Sequence, residues 1–216
     1  MAEDKNITAE TATAEEITAA ETPDIVKLGK PYTFEGAEYS EIDLSGLARL
    51  SVQDAIAAQL QLFGEGEVAT TVLCETTTAF ARALAVKATG MPIEFFKLMP
   101  RGAFKRVAGA VRRHLSAENE TINHVMYLEK PCYYKGEEYT AIDLNGVADL
   151  NTLNESEAEN RLAREGFAVT ENSANYLYAC VIASMATGIA EEFFTALPLC
   201  ETLKLKNAVN DADFFG

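Results

Sequence analysis

Leu28-Gly-Lys-Pro-Tyr-Thr-Phe-Glu-Gly-Ala-Glu-Tyr-Ser-Glu-Ile-Asp-Leu-Ser-Gly-Leu-Ala-Arg-Leu50 is answered one hundred residues later by Leu128-Glu-Lys-Pro-Cys-Tyr-Tyr-Lys-Gly-Glu-Glu-Tyr-Thr-Ala-Ile-Asp-Leu-Asn-Gly-Val-Ala-Asp-Leu150, with 12 identities in 23 positions. A second echo follows after a net loss of two residues: Ala88-Thr-Gly-Met-Pro-Ile-Glu-Phe-Phe-Lys-Leu-Met-Pro100 matches Ala186-Thr-Gly-Ile-Ala-Glu-Glu-Phe-Phe-Thr-Ala-Leu-Pro198. Self-similarity at both ends of one unit implies tandem duplication of that unit and favours two small cores over one.

Each copy opens with hairpin chemistry. Val26, Leu28, Tyr32 and Phe34 alternate at the two-residue period of a half-buried strand, Glu35-Gly36 supplies a turn, and Tyr39 to Leu44 runs back. The second copy repeats the pattern from Tyr127 to Tyr134, through Lys135-Gly136, to Tyr139 through Leu144. Pro31 and Pro131 lack the amide hydrogen a central strand donates, which assigns the first strand to an edge or a bulge. Helices follow. Ser51-Val-Gln-Asp54 and Thr152-Leu-Asn-Glu155 have the spacing of helix-capping boxes, with stops at Gly64 and Gly166. The spacing then predicts longer helices over 68–89 and 173–187, closed by Gly90 and Gly188, a short helix carrying a Phe-Phe pair, and a last helix after Pro100 or Pro198. The expected fold is α+β, helix-dominated, with two tandem homologous repeats, each a β-hairpin followed by three to four helices. Residues 26–115 and 126–216 are the repeats, 116–125 a linker, and 1–25 a disordered tail of Ala, Thr and Glu.

A formal charge of −15 over 216 residues argues against general nucleic-acid binding, because a polyanion meets a field of its own sign. The four cysteines have no C-x-x-C spacing, no apolar signal segment opens the chain and no apolar run is long enough to span a membrane. That pattern points to a reduced, cytoplasmic setting. Catalysis finds little support: His114 and His124 have no triad arrangement, Cys74 and Cys180 read as buried thiols, and no phosphate loop or metal motif occurs. No catalytic residue, cofactor or metal is expected. Asp43 and Asp143, each ending a strand, read as turn-capping carboxylates.

One helix stands apart. From Lys97 to His114 there is no acid; Phe104, Val107, Ala108, Val111 and Leu115 make one face, and Lys105, Arg106, Arg112 and Arg113 the other. This face reads either as a solvated surface or as a docking site for an acidic partner helix or nucleic acid. Phe95, Phe96, Phe193 and Phe194 read as core anchors or as the apolar part of a partner-binding face.

Lys30-Pro31, Gly36, Tyr39, Ser51, Asp54 and Ala88-Thr-Gly-Met-Pro92, echoed by Lys130-Pro131, Gly136, Tyr139 and Ala186-Thr-Gly188, form an ordered pattern that resembles phage tail assembly chaperones over nearly everything after residue 25. The chain departs from that family in being duplicated and in having Ala190 where the first copy has Pro92. The resemblance implies a non-enzymatic protein of the bacterial host cytoplasm that binds the helical tape-measure protein and helps recruit tail-tube subunits. Duplication would supply avidity or replace self-association of a single copy. Two other readings stay open: a structural or adaptor protein of a phage-like particle, and a nucleic-acid-binding regulator acting through residues 104–115.

Overall fold

The computed structural model describes residues 24–67, 73–116, 121–168 and 171–214. The expected acidic tail, up to residue 23, lies outside them. The first half runs β1 (Ile25–Phe34), β2 (Ala37–Asp43), a 3₁₀ turn, α1 (Val52–Gly64), a second 3₁₀ turn (Cys74–Thr76), α2 (Thr78–Thr89), α3 (Ile93–Lys97) and α4 (Arg101–Leu115). The second half runs β3 (Thr121–Ile122), β4 (Val125–Tyr134), β5 (Glu137–Asp143), a 3₁₀ turn, α5 (Thr152–Arg164), a 3₁₀ turn (Asn172–Ala174), α6 (Tyr176–Thr187), α7 (Glu191–Ala196), a 3₁₀ turn (Leu199–Glu201) and α8 (Thr202–Val209). The class is α+β, rich in helix, with two small antiparallel sheets.

Local chemistry accounts for the hairpins. Glu35 and Gly36 at φ 49° and 84°, and Lys135 and Gly136 at 49° and 86°, form turns whose twist suits paired strands. In both hairpins the register slips between the third and eighth residues of the first strand, Lys27 to Tyr32 and Tyr127 to Cys132. Pro31 and Pro131 fall inside those irregular stretches, where a missing amide donor breaks no ladder. Residues 121–122, expected within a linker, instead pair with the start of β4 as a third strand.

The two echoed motifs touch each other. Gly46 lies so close to α2 that a Cβ there would sit 1.8 Å from the Ala88 carbonyl oxygen, and one on Gly146 would sit 2.2 Å from that of Ala186. Only glycine fits at either place. Thr89 and Thr187 return their hydroxyls to the carbonyls of Ala85 and Ala183, and Gly90 and Gly188 close α2 and α6 in the left-handed region at φ 70° and 72°.

Two helix starts differ from the expected ones. Of the helix expected from residue 68, positions 68–72 lie outside the described residues, Cys74–Thr76 is a 3₁₀ turn, and Thr77 caps α2 by accepting from the Phe80 amide at 3.1 Å. Three successive threonines explain this, since their hydroxyls compete for backbone groups that a helix would need. Cys74 therefore precedes the helix, whereas Cys180 lies inside α6. Helix α6 likewise begins at Tyr176 rather than 173, with Asn175 accepting from the amides of Leu177 and Tyr178. The α5 cap is Asn151, bonded reciprocally with Asn154, rather than Thr152.

The buried apolar residues form one continuous core across both halves, where two were expected. The reason lies in α1, which packs against α6 and α7 as well as against α2. Val52 donates its amide to Leu197 and Leu199 donates to Leu50, each at 2.9 Å, so a short antiparallel bridge joins the halves at Ser51 and Pro198. Gln59, buried in α1, donates to the Ala174 carbonyl at 2.9 Å and accepts from the Tyr176 amide at 3.2 Å. The first-turn amides of a helix lack intrahelical partners. In α6 one of them is therefore capped from the other half of the chain. Glu75 completes the seam by accepting from the Tyr176 hydroxyl at 3.1 Å and pairing with Lys206 at 2.6 Å.

Candidate partner-binding site

Helix α4 lies between α2 and β1, which fixes what it shows to solvent. Phe104, Val107, Ala108, Ala110, Val111 and Leu115 are buried, while Arg101, Lys105, Arg106, Arg112 and Arg113 are exposed. At about 100° per residue these cations fall into two rails, Arg101, Lys105 and Arg112 on one side and Arg106 and Arg113 on the other. Gly102, Gly109 and Ser116 run between them. The rails lean apart: Arg112 donates to the Thr76 carbonyl at 2.8 Å, and the Arg106 guanidinium lies over Gly29, 3.3 Å from where a Cβ would be. Above Gly102 there is open space. Among the described residues, none of these five cations forms an ion pair.

Two large apolar side chains bracket the face. Leu98, 68% exposed, stands three residues before the start of α4, and Leu73, 52% exposed, leads into the turn that holds Arg112 near the other end. The sequence pattern located the cations but gave no signal for these leucines, whose exposure depends on how α3 and the Cys74–Thr76 turn pack.

The phenylalanine pairs are not part of this surface. Phe95, Phe96, Phe193 and Phe194 are all buried and present nothing to a partner. Phe95 meets Tyr32, Phe34 and Tyr39 edge-on with ring centroids 4.9–5.2 Å apart, and its carbonyl accepts from the Tyr32 hydroxyl at 3.0 Å. Phe193 packs on Tyr134 and Tyr139. They anchor each hairpin to its helices.

Among the described residues the cation face has no counterpart in the second half. There Lys204 and Lys206 are buried, Lys204 pairing with Glu201 at 2.6 Å and donating to the Tyr127 carbonyl, Lys206 pairing with Glu75. Both lysines are committed to holding the fold.

Where the C-terminal end of α4 meets the second half there is a cavity of about 310 Å³, lined by Asp24, Leu44, Leu47, Arg113, His114 and Glu129, with Ala110 and Cys200 completing the wall. Burial holds the His114 imidazole below its usual pKa, against the opposing pull of Asp24 and Glu129. Burial, a hydrogen bond to Glu129 and the charges of Glu201 and Glu129 push the Cys200 thiol up to about 12, while Lys204 opposes them. A thiol so protonated is a poor nucleophile at neutral pH.

Two groups of side chains among the described residues bring three ligand atoms within 4.8 Å of one another. In the group of Glu129, Cys200 and Glu201, the Glu201 carboxylate is already engaged by Lys204 and by the Glu129 amide. In the other, His124 faces Asp211 and Asp213, stacks on Phe214 at 4.1 Å and hydrogen-bonds through Nδ1 with Asn145 at 3.2 Å, which fastens the C-terminal turn to the β3–β4 corner. Asp43 and Asp143 accept from the amides of Ser45 and Asn145, the turn-capping role read from their position.

No protein-family model, curated protein or solved structure matches the chain. Among the described residues no helix is long and apolar enough to cross a membrane.

Proposed function

We propose that this chain is a non-enzymatic phage tail assembly chaperone, a tandem duplicate of a single-copy ancestor, that binds the helical tape-measure protein in the bacterial cytoplasm and assists tail-tube assembly. The observation that carries the proposal is the exposed face of α4. Two rails of cations flank a strip of glycine and serine, and an exposed leucine stands at either end. A small-residue strip lets a partner backbone approach closely, the leucines supply apolar anchors, and the rails select a helix with acidic flanks. Duplication is supported by the recurrence of the hairpin register, the glycine contact and the helix closure at matching positions. A nucleic-acid role for the same rails finds less support, because the rest of the chain is strongly acidic.

The test is co-expression with a long helical tape-measure protein. The expected result is a soluble complex that weakens at least tenfold when Lys105, Arg106 and Arg113 are all replaced by Glu. A tape-measure protein that stays insoluble, with no complex recovered, overturns the proposal. Tight DNA binding that falls steeply with salt and is lost in the same variant would favour the regulatory reading instead.

A further inference from the structure

We propose that the acidic N-terminal segment, residues 1–23, folds back along the cation rails of α4 and covers that face in the isolated protein. Its charge is complementary: the segment has six acids, Glu3, Asp4, Glu10, Glu15, Glu16 and Glu21, against one base, Lys5. Its point of attachment is adjacent. The segment joins the fold at Asp24, whose carbonyl is pinned by the Leu44 amide at 2.7 Å and which lines the same cavity as Arg113 and His114 at the end of α4.

Its reach is sufficient. Lys105 lies only about 12 Å along the helix from Arg113, whereas the nine residues from Glu15 to Pro23 can extend to about 30 Å. Glu15, Glu16 and Glu21 can therefore stand over Lys105, Arg106 and Arg113 without stretching the chain. The intervening residues are mostly Ala and Thr, small enough for the strip between the rails.

Such a contact is electrostatic and salt-sensitive, since pairs in water are screened beyond roughly 8 Å at physiological ionic strength. Any acidic partner for the same face must displace it. The segment then acts as a tethered competitor whose effective concentration is set by its short attachment. The inference concerns the chain alone, so its failure would leave the proposed tape-measure partner untouched.

Zero-length carbodiimide cross-linking of the full chain, read by peptide mass spectrometry, tests it. The expected product joins Lys105 to Glu15, Glu16 or Glu21 within the monomer band. Its yield falls about fivefold or more between roughly 20 mM and 0.5 M salt, where the screening length shrinks several-fold. Replacing Glu15, Glu16 and Glu21 with Gln, changes that lie outside the described fold, should raise the acylation rate of Lys105 about threefold by uncovering it. The inference is overturned by absence of the Lys105 link, by equal links to Lys27, Lys30 and Lys87, by a yield indifferent to salt, or by an unchanged acylation rate. A Lys105 link confined to a dimer band also overturns it, and identifies a second copy as the occupant.

Discussion

Replacing Gln59 with Leu isolates the polar clasp between the halves while nearly preserving volume. In the native fold the amide is committed at both ends, Nε2 to the Ala174 carbonyl and Oε1 to the Tyr176 amide, and both recipients are buried. Leucine fills the space and strands one donor and one acceptor away from water. Each orphan costs about 1–3 kcal/mol, so a loss of roughly 2–5 kcal/mol follows, moderated where the α6 start relaxes toward solvent. For a chain of this length that corresponds to a fall in Tm of about 4–20 °C. Urea denaturation followed by far-UV circular dichroism and tyrosine fluorescence provides the assay. Because the core is continuous, both signals should move together in a single transition with its slope unchanged. A loss under about 0.5 kcal/mol, within the range of an ordinary surface substitution, would show that the clasp does not hold the seam. Two separated transitions in the native protein would refute the shared core itself.

Gly46→Ala must push the 3₁₀ turn off α2, because the new methyl would begin 1.8 Å from the Ala88 carbonyl oxygen; a loss of about 3 kcal/mol or more in urea denaturation is expected. Gly64→Ala, at a helical position with open space around it, should be neutral or stabilise by up to about 1 kcal/mol, and equal effects at the two sites would contradict the packing. Acid should weaken the fold in two steps, read as urea midpoints from pH 8 to 2. His114 is held below its ordinary pKa, mainly by burial, so the unfolded chain takes up its proton first and stability falls as pH drops below about 6.5. Asp43 and Asp143 are held below the usual carboxylate range by the backbone amides of Ser45 and Asn145; their contribution is full above about pH 4 and disappears as pH falls through the depressed values. In His114→Gln the upper step should vanish, and its persistence would assign it elsewhere.

Features governed by neighbouring residues were legible in the sequence. The Glu35-Gly36 and Lys135-Gly136 turns, the irregularity at each Lys-Pro, the Ser51–Asp54 cap and the glycine closures all follow from backbone freedom or hydrogen-bond reach within a few positions. The α4 cations were equally plain, because one face of a regular helix can be counted. Hidden from such reading was everything decided by long-range packing. Gln59 looks like any polar residue of α1 until α6 arrives with an uncapped amide, and Lys206 resembles a solvated lysine until Glu75 meets it from 131 positions away. The later start of α2 has a local cause instead. Its apolar residues fit helical periodicity, but the competing threonine hydroxyls are satisfied in a turn.

The joint between the halves is lopsided: among the described residues α1 packs on α6 and α7, whereas α5, at the matching place in the second half, packs chiefly on α6 of its own half. Head-to-tail joints of that kind repeat without closing unless something stops them. Here the stop is chemical. Where α1 has Val52, Ala55, Ile56 and Gln59, α5 has Thr152, Glu155, Ser156 and Glu159, and two of those acids are occupied at home by Tyr178 and Asn172. That face of α5 is polar and already bonded within its own half, so a second joint of the α1 kind has nothing apolar to grip there.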